Sequence, residues 1–450
     1  MQQPKRYSIV GVGGRSGMWR DAAAFEFSST STLVGICDSN AGRVRRAQEE
    51  LSENENLDVP GYAAEDFDKM VEETKPNVII VTTPDHLHDY YICRSLELDC
   101  DVVTEKPMTT DEDKCQRILD AKQRTGRNIT VSFNYRFAPP RTQVKDLLMS
   151  GVIGDVHSVD FHWNLDVHHG ADYFRRWHRR KENSGGLLVH KATHHFDLVN
   201  WWLSSVPTKV YATGHRHFYT PATAERYGLK SRTDRCHTCP EAPNCPFVMD
   251  LEGNEKLKKL YLDNEGYDGY FRDGCVFSPD IDIEDSMYVT ADYRNGVKLS
   301  YSLNAFLPWE GYMVAFNGSK GRLEHQCQES VYINADGSVP GALEEKGTWL
   351  HIYPHWQPAY GVDLWRGQGG HGGADPIMLR YIFDPDNQPA DKYMRTADER
   401  AGAWSVLTGV AANHAIENGR PFEIDELVDG LSMPEYPPMP GAEEPLPTRK

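Results

Sequence analysis

The chain has 450 residues, of which 39% are hydrophobic and 25% charged, the composition of a globular protein long enough for two or three domains with substantial cores. A formal net charge of −18 disfavours polyanionic partners, so neither nucleic acid nor an anionic membrane surface is expected. No apolar run approaches the roughly 18 residues of a membrane span and the first residues lack a signal region, so a cytoplasmic protein is expected.

Residues 6–18 read "RYSIVGVGGRSGM", a β-branched strand followed by Gly11, Gly13 and Gly14, with Arg15, Ser16 and then Gly17 leading into a helix. Glycines at a strand-to-helix turn let the backbone approach a pyrophosphate, although Ser16 stands at the usual third small position. A second strand, "STLVGICDSN", ends in Asp38, whose carboxylate could accept from a ribose 2′-OH and would repel a 2′-phosphate. That predicts NAD rather than NADP. The alternative for Asp38 is the N-cap of the following helix.

Strands and helices then alternate: "NVIIVTTP" before "DHLHDYYICRSLEL", "DCDVVTEKP" before "TTDEDKCQRILDAKQRTG", and finally "NITVSFNYR". This order predicts a parallel doubly wound sheet over residues 1–134, with ligands at the carboxyl ends of its strands. Thr83, Pro84, His86, His88, Glu105, Lys106 and Asn134 fall at those ends and are the expected cofactor contacts, together with Gly11, Gly13, Gly14, Arg15, Ser16 and Asp38.

Beyond residue 134, "DVHHGADYFRRWHRRKENSGG" is dense in aromatic and polar groups, which suits carbohydrate, whose hydroxyls need hydrogen bonds and whose C–H faces stack on rings. Tyr173 and Trp177 are its substrate candidates; a solvated basic face is the alternative for the arginine run. In "SGGLLVHKATHHFDLVNWWL", a single helix would put His190, His194 and Asp197 on one face. Arg136, Lys191, His195, Asp197 and His371 are further substrate candidates, His371 lying in a glycine-rich stretch that opens a helix. Any one of these histidines could instead be a hydrogen-bonded structural residue.

An insert at about residues 232–278 contains Cys236, Cys239, Cys245 and Cys275. A tight C-x2-C pair with two further cysteines favours a structural zinc ion, with an iron–sulfur cluster as the alternative. Strand-like runs "SMYVTADY", "VKLSYSLNAF" and "YMVAFNGS" follow, then the helical "TADERAGAWSVLTGVAANHAIENG". From residue 433 a Pro-rich tail to 450 is expected to be an extended arm on a neighbouring subunit.

Taken in order, the glycine turn, "TTPDHLH", "VVTEKPMTTD", "NYRFAP", "GVIGDVHSVDFHW", "GGLLVHKATHHFDLVNWWL" and "FNGSKGRLE" resemble the Gfo/Idh/MocA family of NAD(P)-dependent oxidoreductases over about residues 7–430. The resemblance implies an N-terminal Rossmann domain and, over 135–432, a C-terminal α/β domain on a large open, mostly antiparallel sheet that also forms subunit interfaces, hence a homo-oligomer, dimer or tetramer. It implies that Lys106 is the catalytic-site lysine and that Glu105 and Pro107 shape the turn near the nicotinamide. Against the family pattern G-G-x-L-x-D-x-G-x-H-x-x-D, His194 takes the histidine position and is the candidate general base, and Asp197 the last aspartate. His190 stands where Asp is usual and Ala192 where Gly is usual, which leaves His190 as substrate ligand, base, or metal ligand with His194.

The function so implied is NAD-dependent oxidation of a hydroxyl on a small-molecule sugar or glycoside, with C3 of a glycoside as one version. The alternative is a redox-neutral glycosidase that keeps NAD bound and works through a 3-keto intermediate. A non-catalytic cofactor-binding scaffold is disfavoured by the presence of both Lys106 and His194.

Overall fold

A computed structural model describes residues 3–331, 339–441 and 445–448. The N-terminal sheet has six parallel strands: β1 (Lys5–Val10), β2 (Ser31–Asp38), β3 (Gly61–Ala63), β4 (Val78–Val81), β5 (Asp101–Thr104) and β6 (Ile129–Val131), in spatial order 3-2-1-4-5-6. Helices cover both faces, so the central strand β4 is apolar and buried at every position, "VIIV". The order reverses between β1 and β4, opening a crevice at their carboxyl ends, where the glycine turn and the "TTPDHLH" loop meet.

The second sheet has nine strands: β7 (Val156–Asp166), β8 (Pro207–His215), β9 (Ser286–Tyr293), β10 (Lys298–Leu307), β11 (Glu310–Gly318), β12 (Gly321–Glu329), β13 (Trp349–Pro354), β14 (Tyr360–Gly361) and β15 (Phe422–Glu423), in spatial order 14-13-12-11-7-10-9-8-15. Only β7 and β10 pair in parallel among its described ladders. Along β7 the buried residues Val159, Phe161, Trp163 and Leu165 alternate with more open Asp160, His162 and Asn164, so one face is packed and the other is free. The helices Thr193–Leu203 and Glu399–Asn418 fill the packed face with Trp201, Trp202 and Trp404.

Two local expectations change. The stretch 184–203 is two helices, Leu187–His190 and Thr193–Leu203, joined by a turn at Lys191 and Ala192, so His190 and His194 do not share one continuous helix face. The N-cap after β2 is Asn40, whose side chain accepts from Arg43 N at 3.1 Å, not Asp38. The helix Gly370–Phe383 packs on the first domain, Phe383 against Tyr7 and Phe27 with ring centroids 4.8 and 5.5 Å apart. In the tail, Pro437 and Tyr436 touch their own chain: Ser204 Oγ donates to the Pro437 carbonyl at 2.6 Å, and the Tyr436 ring lies 5.7 Å from the Arg136 guanidinium. No described helix is long and apolar enough to cross a membrane.

Candidate active site at the strand-end cleft

The glycine turn leaves room for a ligand where one would need it. A Cβ on Gly11, whose φ is +89°, would sit 2.6 Å from Thr83 N, so only glycine lets β1 turn this tightly against the β4 loop. A Cβ on Gly13 would meet nothing within 4 Å, so the backbone there faces open space. Ser16 Oγ donates to the Gly13 carbonyl at 2.7 Å and fixes the turn. Asp38 accepts from Val12 N at 2.6 Å and Asn40 N at 2.8 Å, which ties the ends of β1 and β2 together. Burial raises its carboxyl, partly countered by those two amides and Arg43.

At the end of β5, Glu105 accepts from Arg15 Nε at 2.7 Å and Trp19 Nε1 at 2.9 Å. Burial pushes its carboxyl up, but the Arg15 charge and these hydrogen bonds leave it below the usual range. Lys106, joined to Pro107 by a cis peptide, donates to the His190 carbonyl at 3.2 Å. Burial pulls the Lys106 ammonium down to about 8, with Asp85 and Glu105 opposing the fall and Lys191 and Arg15 adding to it. His88 ties the two strand-end loops together, its ring nitrogens 2.8 Å from the Pro107 carbonyl and 2.9 Å from that of Thr83. His86 stands partly open on the same loop after Pro84.

Facing Lys106, His190 Nδ1 pairs with the Asp85 carboxyl, while burial holds the His190 ring neutral and raises Asp85. His178 and Tyr173 pack edge-on against the His190 ring, at 4.2 and 5.3 Å between centroids, and Trp177 stacks on His178 at 3.6 Å. Tyr173 bonds His169, and His169 bonds Glu310 at 3.0 Å, so an aromatic and polar wall runs from the lysine to β11. His194 stacks on Tyr135 at 4.1 Å and its Nδ1 has no hydrogen-bond partner among the described residues. Burial, then the neighbouring Lys106 and Lys191, keeps it neutral. Lys191 Nζ lies 3.4 Å from the Tyr135 hydroxyl and 3.8 Å from Glu310, its charge disfavoured by burial. On the far rim, Asp375 joins His371 at 2.8 Å, Asn134 at 2.7 Å and Arg15 at 3.7 Å, and these three partners outweigh its burial to hold it well below the carboxylate range.

Three expected substrate contacts turn away from the cleft. His195 is fully buried, bonding Tyr301 at 2.7 Å and stacking on Trp163 at 4.0 Å, which is a core position. Arg136 and Asp197 form a two-point ion pair at 2.8 and 2.6 Å with both side chains about 1% exposed. Sequence reasoning passed over Asp85, seen only as the start of a helix although it follows Pro84 in a histidine-rich loop. It also missed Glu310, whose surroundings "LPWEGY" hold no motif.

The metal expectation is corrected. Cys236, Cys239, Cys245 and Cys275 line one pocket with Phe247 and Phe277, yet among the described residues no three His, Cys, Asp or Glu groups are arranged to hold a metal ion, and His190 and His194 make no such group either. The zinc and iron–sulfur readings are therefore unsupported. Burial raises the thiols of Cys236, Cys245 and Cys275, favouring the protonated form. The insert is held by other means: Arg235 pairs with Glu265 and Asp273, Arg272 pairs with Asp172 at 2.7 Å, and Met249, Leu251, Leu257, Leu260 and Tyr261 form a small apolar core.

Comparison with known proteins agrees with this architecture. Residues 5–133 match the model of the oxidoreductase family's NAD-binding Rossmann fold, and residues 145–424 that of its C-terminal alpha/beta domain. The chain is 35% identical over 409 residues to YteT of Bacillus subtilis (strain 168), covering 89% of this chain and 93% of that protein. It is 25% identical over 154 residues to the D-glucoside 3-dehydrogenase of Escherichia coli (strain K12), 34% of this chain and 42% of that one. In fold it is similar to the WlbA dehydrogenase from Bordetella pertussis, solved with NADH and UDP-GlcNAcA, at a TM-score of 0.62 and 18% identity over 94% of this chain and 99% of that one.

Proposed function

Because the chain belongs to the Gfo/Idh/MocA family of NAD-binding oxidoreductases, we propose that it oxidises a secondary hydroxyl of a sugar or glycoside, C3 of a glycoside being the favoured position. The observation that carries this reading is Lys106: a partly buried amine drawn down to about 8, on the same rim as the glycine turn and facing the wall of Tyr173, Trp177 and His178. The names of the similar proteins give no support to the redox-neutral glycosidase alternative.

A dinucleotide fits the residues present: the open backbone at Gly13, the turn from Gly11 to Ser16 and the carboxylate of Asp38 would hold it, with Thr83, Pro84, Glu105 and Lys106 toward its nicotinamide end. Bound there, NAD supplies the hydride acceptor. The chain's own groups handle the proton. A neutral Lys106 amine takes it from the substrate hydroxyl, because an amine near 8 is well matched to the task, and the His190–Asp85 pair beside it stabilises the ammonium that results. His194, neutral and with an unpartnered ring nitrogen, is better suited to hold the hydroxyl than to act as base. Tyr173, Trp177, Lys191 and His371 are the proposed substrate contacts. The outward face of the nine-stranded sheet is the proposed subunit interface.

The test is to incubate the purified protein with NAD and a panel of free sugars and glycosides while following NADH, alongside Lys106→Met. Sugar-dependent NADH that the variant fails to make is the expected result. No NADH from any member of the panel, or equal rates in the variant, would overturn the proposal.

A further inference from the structure

We infer that the Cys-rich insert is the lid of the dinucleotide site and makes release of the bound nucleotide slow. The inference rests on the assignment of the glycine turn and Asp38 to the cofactor. The insert leaves the second sheet after β8 and rejoins it at β9, but residues 254–270 lie over the first domain, at the end of β2. Asn40 Nδ2 donates to the Asn264 carbonyl at 3.0 Å, Arg43 pairs with Asp268 at 2.8 Å, and Arg45 donates to the Tyr267 hydroxyl at 3.2 Å. The approach is close. A Cβ on Gly42 would fall 1.9 Å from Asn264 Oδ1, and one on Gly14 would fall 3.2 Å from the Tyr261 hydroxyl. Asn40, two residues past the carboxylate that would meet the ribose, is completely covered.

The same insert is anchored on the other domain, where Arg272 pairs with Asp172 at 2.7 Å and Arg175 donates to the Phe247 carbonyl at 3.1 Å. It therefore spans the cleft from one domain to the other. It does not fill the site beneath it, because the backbone at Gly13 faces open space while Tyr261 stands beside Gly14. A nucleotide lying between the turn and the insert can leave only if the contacts to Asn40, Arg43 and Arg45 open together, which makes release a lid-opening step. The polar group that the lid brings to this space is the Tyr261 hydroxyl, and the first domain's Arg43 guanidinium is flanked by the lid's Tyr261 and Tyr270 rings at 5.8 Å each.

The experiment loads the full-length protein with radiolabelled NAD, desalts it, and follows loss of label after adding excess unlabelled NAD, for wild type, Asp268→Ala and Gly42→Leu. Asp268→Ala removes the ion pair from the lid side. Gly42→Leu wedges the lid from the first domain and, as a good helix former in a helix, keeps the fold. Wild type retaining label through desalting, with release at least about tenfold faster in either folded variant, is the expected result, a factor of ten being the loss of one modest contact. Wild type that binds NAD in calorimetry but sheds it on desalting, or variants that release at the wild-type rate, would overturn the lid and leave the cofactor site standing. Failure of wild type to bind NAD at all would overturn the cofactor assignment with it.

Discussion

Lys106 owes its proposed role to its surroundings rather than to its type. Its amine accepts a proton only when neutral, and burial sets that transition near 8. Below that pH the amine is charged and kcat/KM is expected to fall about tenfold per unit, levelling off above it; a flat profile through this range would remove Lys106 as the base. Lys106→Met should cost about 10²-fold or more in turnover with nucleotide binding retained. Asp38 gives a second test at this scale. Its carboxylate should make NAD bind more tightly than NADP, and Asp38→Ala should narrow the difference measured by calorimetry; equal affinities in wild type would remove the assignment.

Among the elements, the pair of helices at 187–203 explains why neighbouring histidines differ. The turn at Lys191 and Ala192 leaves His190 facing Lys106 and Asp85 and His194 facing Tyr135, while His195 points into the sheet. The second helix is fixed by Asp197, which Arg136 grips from the turn Asn134–Phe137 just after β6. Burial raises the Asp197 carboxyl to about 6 even against that guanidinium, so an unpaired carboxylate there would be costly. Arg136→Met is therefore expected to lower unfolding stability by about 3–5 kcal/mol in urea titrations. A loss under about 1 kcal/mol would mean that the pair is not holding the helix to the turn after β6.

At the scale of the whole molecule, the free face of the second sheet presents Tyr288, His162, Met313 and Gln326, in register across five strands through the buried Ser302, with Tyr288 about half exposed. A broad, half-apolar sheet face is a natural surface for a second copy. The chain should run as a dimer or tetramer in light scattering, and Met313→Glu with Tyr288→Lys should shift it to a smaller species without loss of secondary structure. A monomeric wild type would overturn the interface.

The sequence alone determined the local features. The β-branched run before Gly11, the all-apolar "VIIV" and the alternation in "SMYVTADY" read directly because strand period and turn chemistry depend on near neighbours. The ordered motifs carried Lys106 and the glycine turn for the same reason, each being a short contiguous signature at a strand end. What the chain brings together from afar was decided only by the tertiary structure. Asp85 meets His190 across 105 positions and Asn134 meets Asp375 across 241, while the insert at 254–270 closes over Asn40. Spacing of cysteines suggested a metal, yet ion pairs and a small apolar core hold the insert, because ligand geometry is a property of folded backbone and not of intervals along the chain. Burial likewise sets the protonation of Lys106 and His195, and burial exists only once the chain has folded.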